Sequence, residues 1–242
     1  LGLDWSYDAV EIRAGGLAHF LARSDETWRG FSVTAPLKTE AAQFASVRGA
    51  DVETLGVANT LVPVGAGWQA SNTDVPGAIS ALHAVNVDRI ESFRVYGAGA
   101  TARSMIFVAS KLGARALDLR VRNREKDLEV AHFAEGLGIV VQINDLNTAP
   151  NETVDLVVNT VPVSALEGTE HSISATANTV FEIIYNPWPT PLMQSAQNDG
   201  KTLVTGIDLL AHQAVLQLRA FTGEVVSPDV LINAALTELS SR

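Results

Sequence analysis

Cysteine is absent from the 242 residues, which excludes disulfides, thiolate nucleophiles and Cys-ligated zinc or iron–sulfur centres. Basic residues are scarce: 17 Lys and Arg stand against 27 Asp and Glu, a formal charge of −10. Such a chain is a poor general binder of nucleic acid or of anionic membrane surfaces. No apolar run reaches membrane-spanning length and no secretory signal pattern is present. The expectation is a cytoplasmic protein without nucleic-acid or membrane partners. The five histidines, His19, His83, His132, His171 and His212, show no metal-ligand spacing, so no metal is expected. Neither a Gly-x-Ser-x-Gly elbow nor a Gly-Lys-Ser/Thr phosphate loop occurs, and the four tryptophans are scattered as packing residues. What is plentiful is apolar side chain, 47% of residues against 18% charged. That is enough to bury a core in one or two globular domains and lies outside the disordered class.

Periodicity alternates strand and helix from end to end, with no repeat and no low-complexity tract. Strands are expected at Ser6–Ile12, Gly30–Thr34, Val57–Val64, Gly67–Ala70, Phe93–Tyr96, Leu117–Arg122, Ile139–Ile143, Val154–Asn159, Val180–Tyr185 and Leu203–Thr205. Helices are expected at Pro36–Ser46, Asp74–Val85, Thr101–Leu112, Lys126–Leu137, Thr190–Asn198, Ile207–Phe221 and Pro228–Leu239. This order predicts an α/β protein: a doubly wound parallel sheet over 93–205, a smaller α/β unit before it, and a cleft between two close-packed domains.

The strongest local signal is Val95-Tyr96-Gly97-Ala98-Gly99-Ala100-Thr101-Ala102, which follows a short apolar strand and opens a helix. In a dinucleotide fingerprint Gly97 permits the tight turn, Gly99 lets the backbone approach a pyrophosphate, and Ala102 allows close helix packing. The helix N-terminus supplies unpaired N–H groups for the phosphate. An ordinary tight strand-to-helix turn is the bland alternative. At the end of the next strand an NAD site needs a carboxylate for the ribose 2′-OH. Here the strand ends Arg120-Val121-Arg122-Asn123-Arg124-Glu125-Lys126, with Asp118 too early within it. A basic end suits the 2′-phosphate of NADP(H), although Glu125 fits that phosphate poorly. Before the fingerprint, Lys38 lies in the first turn of a helix, where the dipole disfavours its charge. Asn59-Thr60 interrupts an apolar strand, and Asp74 stands at a helix start. By spacing alone a surface lysine and a plain helix cap account for Lys38 and Asp74 as well as chemistry does.

Taken in order, six segments resemble the shikimate dehydrogenase family. Gly30-Phe31-Ser32-Val33-Thr34-Ala35-Pro36-Leu37-Lys38 is similar to its Gly-Phe-Asn-Val-Thr-x-Pro-x-Lys, Ala58-Asn59-Thr60-Leu61 to its Val-Asn-Thr-Leu, and Asn72-Thr73-Asp74-Val75-Pro76-Gly77 to its Asn-Thr-Asp-x-x-Gly. Asn123-Arg124 matches its Asn-Arg-Thr clamp. Tyr185-Asn186-Pro187 with Thr190-Pro191-Leu192 matches its Tyr-x-Pro and Thr-Pro-Leu, and Gly206 through Ala214 matches its Gly-x-x-Met-Leu-x-x-Gln-Ala. The resemblance implies NADPH-dependent reduction of 3-dehydroshikimate to shikimate, in chorismate and aromatic amino-acid biosynthesis. It implies Lys38 and Asp74 as the catalytic pair. Reducing a ketone needs a proton on oxygen, which a lysine can donate while a carboxylate orients it. It further implies Thr34, Asn59, Asp74, Tyr185 and Gln213 against the substrate, Asn123 and Arg124 on the 2′-phosphate, and the nicotinamide near Asn159 and Gly206. Finally, it implies that the last helices pack back on the first domain. The division expected is then 1–73 plus 207–242 for substrate binding and catalysis, and 74–206 for a Rossmann dinucleotide-binding domain.

The sequence departs from the family pattern in places. The family's first strand and its Ser-x-Ser loop would precede Leu1, and the chain opens without Met. Ser71 replaces an acidic residue, Val161-Pro162-Val163-Ser164 lacks the Gly-Met that is common there, and Glu125 stands where Thr is usual. An NAD-preferring quinate/shikimate dehydrogenase and a non-catalytic nucleotide-binding paralogue are the competing readings. A monomer or homodimer is expected.

Overall fold

Apolar residues at 17 and 21, at 41 and 42, and at 52 reach one small core because three short helices turn them inward: α1 (Leu17–Leu21), α2 (Lys38–Phe44) and α3 (Ala50–Leu55). The computed structural model describes residues 2–125 and 127–240 and divides into two units, Leu1–Asn72 and Thr73–Arg242. In the first unit the helices cover a four-stranded sheet of order β1-β3-β4-β2, built from β1 (Phe31–Ser32), β2 (Val47–Arg48), β3 (Thr60–Val64) and β4 (Gly67–Ser71). β1 and β4 run antiparallel to β3, and β2 runs parallel to β4. The β3–β4 hairpin closes through Gly65 at φ +54°, a conformation cheap only for glycine. Phe20, Trp28, Phe31 and Trp68 stack at centroid distances of 4.9–5.8 Å, each such pair adding about 0.5–1.5 kcal/mol to area burial. The short α1 has no cap of its own. The Glu40 carboxylate of α2 accepts from the Gly15 and Leu17 amides at 2.6 and 3.2 Å instead.

The second unit opens with α4 (Asp74–Ala84) and continues through β5 (Ser92–Tyr96), α5 (Ala100–Lys111), β6 (Ala116–Val121), α6 (Leu128–Gly136), β7 (Val140–Asp145) and β8 (Val154–Asn159). It closes with α7 (Glu170–Ala175), β9 (Ala177–Glu182), α8 (Pro191–Asn198), β10 (Thr202–Thr205), α9 (Gly206–Thr222) and α10 (Pro228–Ser240). All six strands are parallel in the order β10-β9-β8-β5-β6-β7. This is the doubly wound Rossmann arrangement, whose order reverses between β5 and β8. Val95, Leu119, Leu156, Val158 and Phe181 are fully buried, as central strands covered on both faces require. α9 starts with a capping box: the Asp208 amide donates to Thr205 Oγ1 at 3.3 Å while the Asp208 carboxylate accepts from the Thr205 amide at 2.8 Å. Within this unit α9 packs on α4, and α10 on α9.

The expected fold class holds, with local corrections. Residues 2–13 carry neither helix nor strand, so the strand expected at Ser6–Ile12 does not form. Its alternation is that of a strand, but a strand exists only through backbone pairing, and none of the described strands pairs with it. Trp5 and Tyr7 are accordingly exposed, Tyr7 by 78%. α2 starts at Lys38 rather than Pro36, which sits in a turn after a cis Ala35–Pro36 bond. The helix expected from Lys126 begins at Leu128, and Lys126 itself lies outside the described residues. α1, α3, α7 and the two-residue β2 are too short to show a period.

Candidate active site

In the second unit the fingerprint occupies the C-terminal end of β5, beside the reversal of strand order where open α/β sheets bind ligands. Gly97 has φ +104°. A side chain there would meet Thr160 Oγ1 at 2.5 Å and Val161 Cγ1 at 2.9 Å. The turn is clamped on both sides: the Gly97 amide donates to Arg120 O at 2.9 Å, and the Thr160 hydroxyl donates to Tyr96 O at 2.7 Å. Gly99 caps α5 with no side-chain hydrogen bond, no acidic residue follows in the first turn, and the space over it is open. Ala98 is half-buried, Ala100 and Thr101 are exposed, and Ala102 is fully buried against the sheet. A helix start with bare amides and an unfilled approach fits a pyrophosphate. The cradle therefore suits a dinucleotide.

The next strand sorts its basic residues into two groups. Arg120 is 3% exposed and turned inward, with Nε donating to Asp118 at 2.8 Å and Nη1 to Thr148 O at 2.6 Å. Arg94 of β5 reaches Asp118 at 2.6 Å from the other side, and the Asn144 amide donates to it at 2.9 Å. Burial works to raise the Asp118 carboxyl, but the hydrogen bonds from Arg120, Arg94 and Asn144 outweigh it and hold the group below the ordinary range. Arg120 therefore does not contribute to the basic strand end expected to suit a 2′-phosphate, because it is itself buried and its guanidinium is bound to the half-buried Asp118 carboxylate. Arg122, Asn123, Arg124 and Glu125 remain exposed past the strand end. Arg124 donates to the Ile143 carbonyl.

On the other side of the reversal, Asn159 ends β8 and is buried. Its Nδ2 donates to both Glu182 carboxylate oxygens at 2.9 and 3.0 Å, and to Val161 O at 3.2 Å, while its Oδ1 accepts from the Val161 amide at 3.0 Å. Glu182, at the end of β9, also accepts from the Ile184 amide at 2.9 Å and the Thr190 hydroxyl at 3.4 Å. Burial pushes its carboxyl up to about 7, against the pull of these donors. Glu182 is not among the residues the sequence singles out; its one signal there is a lone carboxylate inside the apolar run Val180-Phe181-Glu182-Ile183-Ile184. Gly206 is buried at the start of α9, where any side chain would collide with the Ile183 carbonyl and come within 3.0 Å of Tyr185 Cδ1. Tyr185 is 43% exposed.

Asp74 is the first residue of α4, after Thr73 as its cap position. Gly77, three residues on and so on the same helix face, meets the α9 backbone closely. A methyl at Gly77 would lie 2.8 Å from Gln213 N and 2.9 Å from its Cα. The Asp74 and Gln213 segments thus meet at one helix crossing. In the first unit, backbone bonds gather Thr34, Lys38 and Asn59 at one end of the small sheet. Val33 N donates to Asn59 O at 2.7 Å, Leu37 N to Thr34 O at 2.9 Å, Ala58 N to Lys38 O at 2.9 Å, and Asn59 N to Ser71 O at 3.2 Å. Asn59 is buried and accepts from the Thr60 hydroxyl at 2.9 Å; Thr34 is exposed and Lys38 half-buried. Among the described residues no group of three His, Asp or Glu side chains is arranged to hold a metal ion.

Comparison with known proteins covers most of the chain. The profile of the shikimate dehydrogenase substrate binding domain matches residues 1–61. The chain is 31% identical to a shikimate dehydrogenase (NADP(+)) of Shouchella clausii, over 92% of this chain and 84% of that protein. It is 30% identical to the same-named protein of Aeropyrum pernix, over 97% of this chain and 87% of the other. The crystal structure of a shikimate 5-dehydrogenase from Mycobacterium fortuitum superposes with a TM-score of 0.85 at 30% identity, covering 96% of this chain and 86% of that one.

Proposed function

The chain belongs to the shikimate dehydrogenase family, and from that premise we propose that it catalyses the reversible NADP-dependent interconversion of shikimate and 3-dehydroshikimate. One observation carries the cofactor and hence the reaction class. The only carboxylate of β6, Asp118, is consumed by Arg94 and Arg120, so the strand offers nothing to a free ribose 2′-OH. Of the exposed residues beyond it, Arg122, Asn123 and Arg124 suit a 2′-phosphate and Glu125 opposes one. That favours NADP(H) over NAD.

Bound NADPH supplies the hydride. In this reading Lys38 donates the proton to the carbonyl oxygen and takes it back in the reverse direction, while Asp74 orients the ammonium and accepts from a substrate hydroxyl. Thr34, Asn59 and Gln213 hydrogen-bond the remaining hydroxyls, and Tyr185 lies along the ring. Gly97, Ala98, Gly99, Ala100, Thr101 and Ala102 hold the pyrophosphate on the α5 amides. Asn123 and Arg124 take the 2′-phosphate, and Asn159 and Gly206 border the nicotinamide. Functionally, residues 1–73 with 207–242 serve substrate binding and 74–206 the dinucleotide. The protein acts in the cytoplasm, as a monomer or homodimer, on a small-molecule substrate. No described helix is long and apolar enough to cross a membrane.

The test is shikimate oxidation followed at the absorbance of the reduced nicotinamide, with NADP and NAD in parallel, for the wild type and Lys38→Ala. The reading expects turnover favouring NADP, and near-total loss in Lys38→Ala with an unchanged circular dichroism spectrum. An inert wild type, or a Lys38→Ala variant with normal turnover, overturns it.

A further inference from the structure

In a doubly wound sheet with its phosphate turn after β5, one half of a dinucleotide extends over β6 and the other over β8, β9 and β10. The basic end of β6 takes the 2′-phosphate half in the reading above. The nicotinamide half then falls where Glu182 lies completely buried, with no cationic side chain among its hydrogen-bond partners. A buried carboxylate without a cation is costly and calls for a reason.

Three paths of contact lead away from it. Along the first, both carboxylate oxygens receive the Asn159 amide, and Asn159 makes two further bonds to the backbone of Val161. Thr160 and Val161 in turn abut Gly97, the Thr160 hydroxyl bonding Tyr96 O at 2.7 Å. Along the second, the carboxylate receives the Ile184 amide at 2.9 Å, fixing the stretch whose Ile183 carbonyl and Tyr185 ring press on Gly206. From the third side Thr190, the cap of α8, donates at 3.4 Å. We propose that Glu182 is a positioning residue for the nicotinamide half of the cofactor site, holding the 159–161 loop and the 183–185 segment in one arrangement. The proposal rests on the dinucleotide reading given above. All three partners donate, so the group works as an acceptor, and its elevation to about 7 by burial marks the cost of keeping one there.

Glu182→Gln tests it with little change in shape. Its single carbonyl oxygen can retain the bonds from Asn159 and Ile184, while its NH2 loses the second bond from Asn159 and the bond from the Thr190 hydroxyl. The measurements are equilibrium binding of NADPH and of 2′-phospho-ADP-ribose, which lacks the nicotinamide, together with the melting temperature at pH 7.5. The expected result is a roughly fivefold to tenfold weaker NADPH affinity, the size of one lost hydrogen bond, with unchanged affinity for the fragment and a melting temperature no lower than wild type. Glu182→Ala, which removes every acceptor, is expected to weaken NADPH further while sparing the fragment. Equal losses for both ligands, or no loss for either, overturn the assignment, and so does a wild type that binds no NADPH. Shikimate turnover by the wild type is scored separately. A selective NADPH defect in Glu182→Gln alongside an inert wild type sinks the shikimate reading and leaves the positioning role standing.

Discussion

Replacing Glu182 by Gln removes a titrating group from the interior, and the structure sets both the sign and the size of the consequence. The carboxyl rises from its ordinary 4.5 to about 7 because it is buried. Below pH 4.5 the folded and unfolded chains both carry the proton. Between 4.5 and 7 the folded chain keeps a proton that the unfolded chain has released, so stability falls as pH rises, and above about 7 the full cost of ionisation is present. At about 1.4 kcal/mol per pH unit, the interval from 4.5 to about 7 amounts to roughly 3 kcal/mol. The Gln variant does not titrate, so it gains about that much relative to wild type between pH 4.5 and 8. With a urea slope of about 2–3 kcal/mol per molar, the variant's midpoint moves upward by about 1 M relative to wild type across that range. Urea titrations followed by far-ultraviolet ellipticity at pH 5, 6, 7 and 8, on paired samples, cancel the contributions of all other groups. Parallel midpoints from pH 5 to 8 refute the reasoning, and a variant that loses ground as pH rises shows that the donors outweigh burial.

Four further outcomes follow from single contacts. Gly206→Ala drives a methyl into the Ile183 carbonyl and against Tyr185; overpacking of this kind costs about 1–3 kcal/mol. A lower melting temperature and a fall in shikimate turnover are expected, and an unchanged melting curve contradicts the packing at that site. Arg124→Ala is expected to raise the KM for NADP by roughly ten- to a hundredfold while leaving NAD kinetics in place, as loss of a charge-assisted phosphate contact predicts. Arg120→Ala instead leaves Asp118 with Arg94 and Asn144 as its donors and removes one charge-assisted bond worth about 1.5–3 kcal/mol, seen as a lower urea midpoint with no change in the ratio of NADP to NAD rates. Gly77→Ala forces α4 and α9 apart where Gln213 N would lie 2.8 Å from the new methyl. A raised KM for shikimate with unchanged NADPH affinity is expected, whereas an unaltered KM separates that crossing from substrate binding.

Much of the architecture was legible because it depends on local chemistry. The fingerprint needs glycine at 97 and 99 wherever a strand turns tightly into a helix, and the structure shows φ +104° at Gly97 and open space over Gly99. The strand Val154–Asn159 and the start of α8 after Thr190 fall as read, since a wholly apolar run and a Thr-Pro cap carry their own signatures. What could not be read depends on partners distant in sequence. Ser6–Ile12 alternates like a strand, yet only a neighbouring backbone makes it one, and none of the described strands pairs with it. Val47–Arg48 is a strand by virtue of β4 alone.

The same division runs through the site. Resemblance to ordered family motifs marks Lys38, Asn59, Asp74 and Gln213 as candidates, and the chain shows a basic stretch after β6. Spacing along one strand cannot say which way a guanidinium turns. Arg120 and Arg122 are two residues apart, but Asp118 and the Thr148 carbonyl claim the first within the sheet, while the second lies past the end of β6 in solvent. Glu182 is the clearest case. Along the chain it is one acidic residue within an apolar run, and Glu is ordinarily solvated. In the fold β8, α8 and the turn after β9 close over it, and its three donors come from residues 159, 184 and 190. Local sequence chose the elements and the chemistry available at their ends; only tertiary contact decided which charges were desolvated, because burial is a property of everything packed around a group and not of its neighbours in the chain.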